Sequence, residues 1–259
     1  MSFKESFNES INAFYNAFFN ASFNECECKE FKECKECKNV ITRLTNRIVF
    51  IITFICICII SRNNRIKGFI TFYFFLFIFA YFIHYFAHKY KCLFSISHHY
   101  HHYIDNTFSH FFQLSGELTN IMYLYPIYYF TNTTYFDAWA LFYYLVIYSS
   151  IHNINYGYFH VNNFHELHHE NPLTNLGPDL CDIFFGTKNK FDPDAENISH
   201  YIPNIIICAI VVLFLQFICL NKTYEKYLKN AFIYGELFLS LICFILSVYI
   251  YYHYPEVLK

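Results

Sequence analysis

Proline and glycine are scarce, six of each in 259 residues, so the chain lacks the turn residues that an all-β protein of this length needs. Charge is scarce too: 15% of residues are charged and the net charge is −2. Nucleic-acid binding leans on a basic field, and its absence here excludes that class. One tryptophan and two methionines against 34 phenylalanines and 25 tyrosines reflect codon bias in an AT-rich genome rather than chemistry. The first fifteen residues lack a basic flank and an uninterrupted apolar core, so no signal peptide is expected.

The excess is apolar: 56% of the chain is hydrophobic and 23% aromatic. A single helical body sunk in a bilayer fits that composition better than a soluble domain. Eleven cysteines do not argue for disulfides, since Cys56, Cys58, Cys208, Cys219 and Cys243 lie in apolar runs where cysteine acts as a small hydrophobe.

Residues 1–39 differ from the rest. Near-repeats such as SFKESFNES run into CECKEFKECKECK, which reads as a low-complexity, disordered tail ahead of a membrane-embedded domain over 40–259. Cys26, Cys28, Cys34 and Cys37 have no second ligand pair at a finger-like spacing. Phe69 to Ala87 is the clearest membrane-spanning run, preceded by Ile48 to Ile60 with Arg43 and Arg47 snorkelling to the interface. Leu118 to Phe130, broken at Pro126, and Phe136 to Ser150 are short enough to form either two spans or a tilted, re-entrant hairpin. The connector NKTYEKYLKN joins Ile205–Leu220 to Ala231–Tyr252, giving a C-terminal helical hairpin over 203–252. An even number of crossings between His102 and His152 puts all the histidine clusters on one face, and the sequons at Asn132 and Asn221 on the other. Arg62, Arg65 and Lys67 run against this orientation if the N-terminus is cytoplasmic.

Nine of the fourteen histidines fall in three groups. His84 and His88 form His-x-x-x-His, which places both imidazoles on one helix face a turn apart. His98, His101 and His102 form His-x-x-His-His, with His99 inserted, and His165, His168 and His169 repeat that spacing. On a helix the i, i+3 and i+4 positions form one stripe. A lone histidine is more often a hydrogen-bonded interfacial residue. Eight at ligand spacing beside a bilayer point instead to coordination. Imidazole suits iron, zinc, copper and nickel, so ligand type does not name the metal, but eight nitrogens exceed the needs of one ion and argue for two. Within the third group, His165-Glu166-x-x-His169 also fits a zinc-protease signature with glutamate as general base, a rival that leaves the other histidines unexplained.

From His84 to Thr187 the sequence resembles the fatty acid hydroxylase and sterol desaturase superfamily. The resemblance rests on HYFAH, HHYHH, the lone histidine of IHNINYG, FHELHH and the tail NLGPDLCDIFFGT. Cys181 stands where that family usually has tryptophan, and Ser115 to Leu118 replaces a usual histidine-proline pair. The resemblance implies an all-α, multi-span membrane protein with a cytoplasmic histidine-rich helical cap, located in the endoplasmic reticulum. It implies a non-haem pair of irons, with zinc as a possible substitute, held by His84, His88, His98, His101, His102, His152, His165, His168 and His169. Asp182 would orient a ligand histidine from outside, with a helix N-cap as its alternative role; His99 and His160 are the less certain ligands. Such an enzyme hydroxylates or desaturates a fatty acyl or sterol lipid with O2. No haem-binding or nicotinamide-binding segment is visible, so its electrons are expected from a separate membrane cytochrome and reductase.

Overall fold

An apolar run in a bilayer must satisfy its own backbone hydrogen bonds, and in a chain poor in glycine and proline it does so as helix. The computed structural model describes residues 35–92, 95–104, 106–130, 136–191 and 194–258, and these are helices and connections with no strand. Residues 1–34, with Cys26, Cys28 and Cys34, and the Asn132 sequon lie outside the described residues.

Helix α1 covers Lys35–Ile60 and so begins inside the segment expected to be tail. Asn64 caps α2, Arg65–Phe74, by accepting from the Lys67 N–H. A π-helical turn at Phe75–Phe79 joins α2 to α3, Ala80–Lys89, in one continuous rod. Gly68 permits the α1–α2 hairpin to close, since a Cβ there would sit 2.1 Å from Ser61 Oγ. Then come α4, Ile96–Tyr103, and α5, Thr107–Phe130. Helix α5 starts eleven residues before the Leu118 expected from the apolar run (118 − 107) and passes through Pro126 without ending. One proline removes a single i to i−4 bond, which a long helix survives.

Helix α6, Ala138–Ser150, is capped by Asp137 and followed by a second π-helical turn, Ile151–Tyr156. Two short helices, α7 at Phe164–Glu170 and α8 at Asp179–Phe185, precede α9, Ile202–Ile218, and α10, Lys222–His253. The expected connector NKTYEKYLKN is itself helical from Lys222. Asn221 accepts from the Thr223 N–H as N-cap, and the Lys222–Glu225 pair lies within the first turn.

Among the described residues, four stretches are long and apolar enough to cross a membrane: Lys38–Ile60, Arg65–Lys89, Ile198–Ile218 and Lys222–His253. Helix α6 is the inner one. Ala140 and Tyr143 are fully buried, and Tyr143 donates from its hydroxyl to the Ile205 carbonyl at 3.0 Å. The main core gathers Val49, Ile57, Phe72, Phe75, Tyr143, Tyr144, Ile205 and Val212 from α1, α2, the first π turn, α6 and α9. A smaller core of Ile96, Tyr100, Phe112, Cys243 and Ile250 fixes α4 and α5 against α10. Helix α5 joins the two cores, Leu118 packing on the first and Phe112 lying in the second, and so holds the histidine-bearing helices α3 and α4 together.

Candidate metal centre

The histidines converge from four parts of the chain. His84 and His88 come from the last turns of α3, His98, His101 and His102 from α4, His152 from the second π turn, and His165, His168 and His169 from α7. His84, His88, His98, His102 and His168 form one group, with one ring nitrogen from each lying within 4.8 Å of all the others. His101, His152 and His165 form a second group by the same measure. His169 bridges the two: its Nε2 is 2.9 Å from His165 Nε2, and its ring stacks on His102 at 4.0 Å.

The triplets therefore divide rather than act as single stripes. His98 and His102 enter the first group while His101 enters the second, and His168 and His165 separate in the same way. At 3.6 residues per turn, neighbouring positions such as i+3 and i+4 point about 100° apart. One His-x-x-His-His helix can then serve two sites on its two sides.

Outer partners fix several rings. His84 Nδ1 lies 2.5 Å from the Leu176 carbonyl, His168 Nδ1 lies 2.7 Å from the Thr174 carbonyl, and His152 Nδ1 is paired with the Glu117 carboxylate. A ring whose Nδ1–H is donated outward presents the Nε2 lone pair inward, the arrangement a metal ligand needs. His84 Nε2, His152 Nε2, His101 Nδ1 and both His102 nitrogens are buried with no hydrogen-bond partner. Within the first group, His88 Nε2 is 2.7 Å from His98 Nε2 and 3.1 Å from His168 Nε2. Two nitrogens bound to one ion at 2.0–2.1 Å sit about 3 Å apart, so this spacing suits shared coordination. Burial, followed by the neighbouring histidines, pushes His98, His102, His165 and His168 well below the usual histidine range. They are neutral imidazoles, as ligands must be. The buried donor set fits a metal ion.

Asp182 does not touch a histidine. Its carboxylate accepts from the Leu176 and Gly177 N–H groups at 2.9 and 2.7 Å and from the Thr187 hydroxyl at 2.7 Å. It acts through the peptide that presents the Leu176 carbonyl to His84. Nor is it the N-cap of α8, a position that Pro178 occupies. Of the less certain ligands, His99 lies beside the first group, its ring 5.8 Å from that of His88, and belongs to neither set. His160 is exposed, with φ 46°, and its Nδ1 is 3.8 Å from Glu166. Glu166, the glutamate of the zinc-protease signature, is thus turned outward to His160 and away from the cluster.

Sequence reasoning missed Glu117. It is 8% exposed, and besides His152 it accepts from Gln113 Nε2 at 3.0 Å and from Asn153 Nδ2 at 2.7 Å. Gln113 Nε2 in turn lies 3.2 Å from His98 Nδ1. One helical turn of α5 therefore reaches a histidine in each group. The available signal was that Glu117 is the sole acid in α5, placed four residues after Gln113. No protein-family model, curated protein or solved structure matches this chain.

Proposed function

We propose that this protein is an O2-dependent lipid hydroxylase or desaturase that works through two histidine-held iron ions. The observation that carries the reading is the gathering of His84, His88, His98, His102 and His168 into one buried group and His101, His152 and His165 into an adjacent one. Bound there, a redox-active pair of ions would supply the oxidising power to break an unactivated carbon–hydrogen bond.

The chain's own residues supply placement. A cleft of about 350 Å³ opens beside the first group, with His84 and His98 in its wall and Phe79, Ile83, Phe86 and Leu145 among its apolar lining. Ile83 and Phe86 are 42 and 44% exposed on the outer side of a candidate span. An acyl chain or sterol entering between them from the bilayer would displace water and bring one carbon toward the histidines. Leu176 and Thr174 carbonyls hold His84 and His168 while Glu117 holds His152, so the rings keep their orientation as substrate enters. Electrons come from a separate membrane cytochrome and reductase, and the histidines face the cytoplasm from the endoplasmic reticulum membrane.

Metal analysis of the detergent-purified chain, paired with O2-dependent oxidation of cellular lipids, tests the proposal. Iron near two per chain and lipid oxidation that is lost in His168→Ala are expected. A single tightly held zinc with peptide cleavage would overturn it in favour of a protease.

A further inference from the structure

One short helix outside the four candidate spans turns its apolar side outward. In α8, Cys181 and Asp182 are buried, whereas Leu180, Ile183 and Phe184 are 59, 51 and 80% exposed. Grouped apolar side chains of this size are costly in water and mark a contact surface.

The level of α8 along the molecule is set by its contacts with the span Arg65–Lys89. Cys181 Sγ donates to the Phe77 carbonyl at 3.1 Å, and Phe185 stacks on Tyr81 at 4.7 Å and meets Phe82 at 5.5 Å. Phe77 and Phe82 lie twelve and seven residues before Lys89 (89 − 77 and 89 − 82). At 1.5 Å per residue they sit roughly 10–18 Å short of Lys89, where that span ends. Ile78 and Ile83, on the same stretch, are 43 and 42% exposed as lipid-facing residues of the span. Helix α8 packs on this stretch through Cys181 and Phe185, and Leu180, Ile183 and Phe184 are exposed beside it. Charge does not oppose insertion, since Asp179 is paired with Lys188 at 2.5 Å and Asp182 is buried among its three donors.

We infer that α8 is seated in the bilayer leaflet, with Leu180, Ile183 and Phe184 among the acyl chains. The partner surface is the lipid itself. A short amphipathic helix of this kind buries its apolar side at the boundary of headgroups and acyl chains. Its inner side carries Asp182, which orders the Leu176 peptide, so one helix has lipid on one side and the His84 clamp on the other.

The chain has a single tryptophan, Trp139, which makes a clean test possible. The full chain carrying Trp139→Phe and Phe184→Trp is reconstituted into phosphatidylcholine vesicles whose acyl chains are brominated. Emission at position 184 is expected to fall at least about two-fold against unbrominated vesicles and to resist aqueous iodide. Leu180→Trp in the same background is a second reporter should the first variant fold poorly. Emission unchanged by brominated lipid and quenched by iodide at either position overturns the inference, whatever metal the histidines hold.

Discussion

A histidine can give a metal one nitrogen reliably only when the other is held by something else, and the holder is as much a part of the site as the ring. Glu117 is that holder for His152, and it also meets Gln113, which faces His98. Glu117→Ala is therefore expected to weaken metal binding by roughly 10- to 100-fold, chiefly in the group of His101, His152 and His165. A titration of the metal-free chain with cobalt(II), followed by its visible absorption, would separate a lost weak site from a retained strong one. Equal loss of both sites would show that Glu117 acts on the first group as well, through Gln113 and His98 or through the fold, and not on His152 alone. Asp182 differs in kind, since it orders a peptide instead of a ring. Asp182→Asn keeps one acceptor oxygen where two now serve Leu176, Gly177 and Thr187, and is expected to cost about 1–3 kcal/mol, seen as a lower unfolding midpoint in detergent. The histidines were legible in sequence because i, i+3 and i+4 are local quantities. Glu117 was not, because it lies 35 residues from His152 and no local spacing links them.

At the scale of elements, two π-helical turns aim histidines. The turn Phe75–Phe79 ends five residues before His84, and Ile151–Tyr156 contains His152. Such turns insert one residue into a helix and shift everything beyond it by about 100°. Deleting Ile78 should restore regular helix and swing His84 and His88 out of the first group, abolishing its metal binding while far-ultraviolet dichroism stays helical. Sequence gives little warning of these turns, because FLFIF and IHNINY carry the same apolar and polar residues as ordinary helix. The pairing of α4 with α5 depends on Gly116, where a Cβ would lie 2.4 Å from Ser97 Oγ. Gly116→Ala should cost about 1–3 kcal/mol through overpacking. Adding Ser97→Gly removes the side chain it meets and should return most of that loss; strict additivity of the two changes would show that the contact does not set the helix spacing. The spans at 65–89 and 198–218 were readable from their apolar length. The starts of α5 and α10 were not, because KTYEKYLKN is polar enough for hydropathy alone to assign it to a connection, and HFFQLSGE, with Gly116 and Ser115, has little intrinsic helix propensity and is helical through packing such as that of Phe112.

Across the whole molecule, Glu196 ties distant segments into one body. Its carboxylate accepts from the Tyr156 hydroxyl and from Asn162 Nδ2, both at 2.6 Å, its carbonyl accepts from Asn46 Nδ2 of α1 at 2.7 Å, and its N–H donates to Asp179 at 3.0 Å. Tyr156 stacks on His165, 5.7 Å between centroids, so this knot also backs the second histidine group. Burial pushes the Glu196 carboxyl up from 4.5 to about 7, against the pull of its hydrogen bonds to Tyr156 and Asn162. Between pH 4.5 and 7 the folded chain then holds a proton that the unfolded chain has released. The stability this proton confers is complete below pH 4.5 and is lost as pH rises through 7. The buried neutral histidines act in the opposite sense, since they weaken the fold as pH falls below their ordinary value near 6.5. Glu196 is therefore best isolated by difference. Stability of the native chain minus that of Glu196→Gln, from unfolding midpoints across pH 4 to 8, should fall by about 2–4 kcal/mol over that window and be flat above it. A difference that is level, or that rises with pH, would mean that the carboxyl is ionised in the folded protein and that Lys188, at the edge of the same cluster, holds it so.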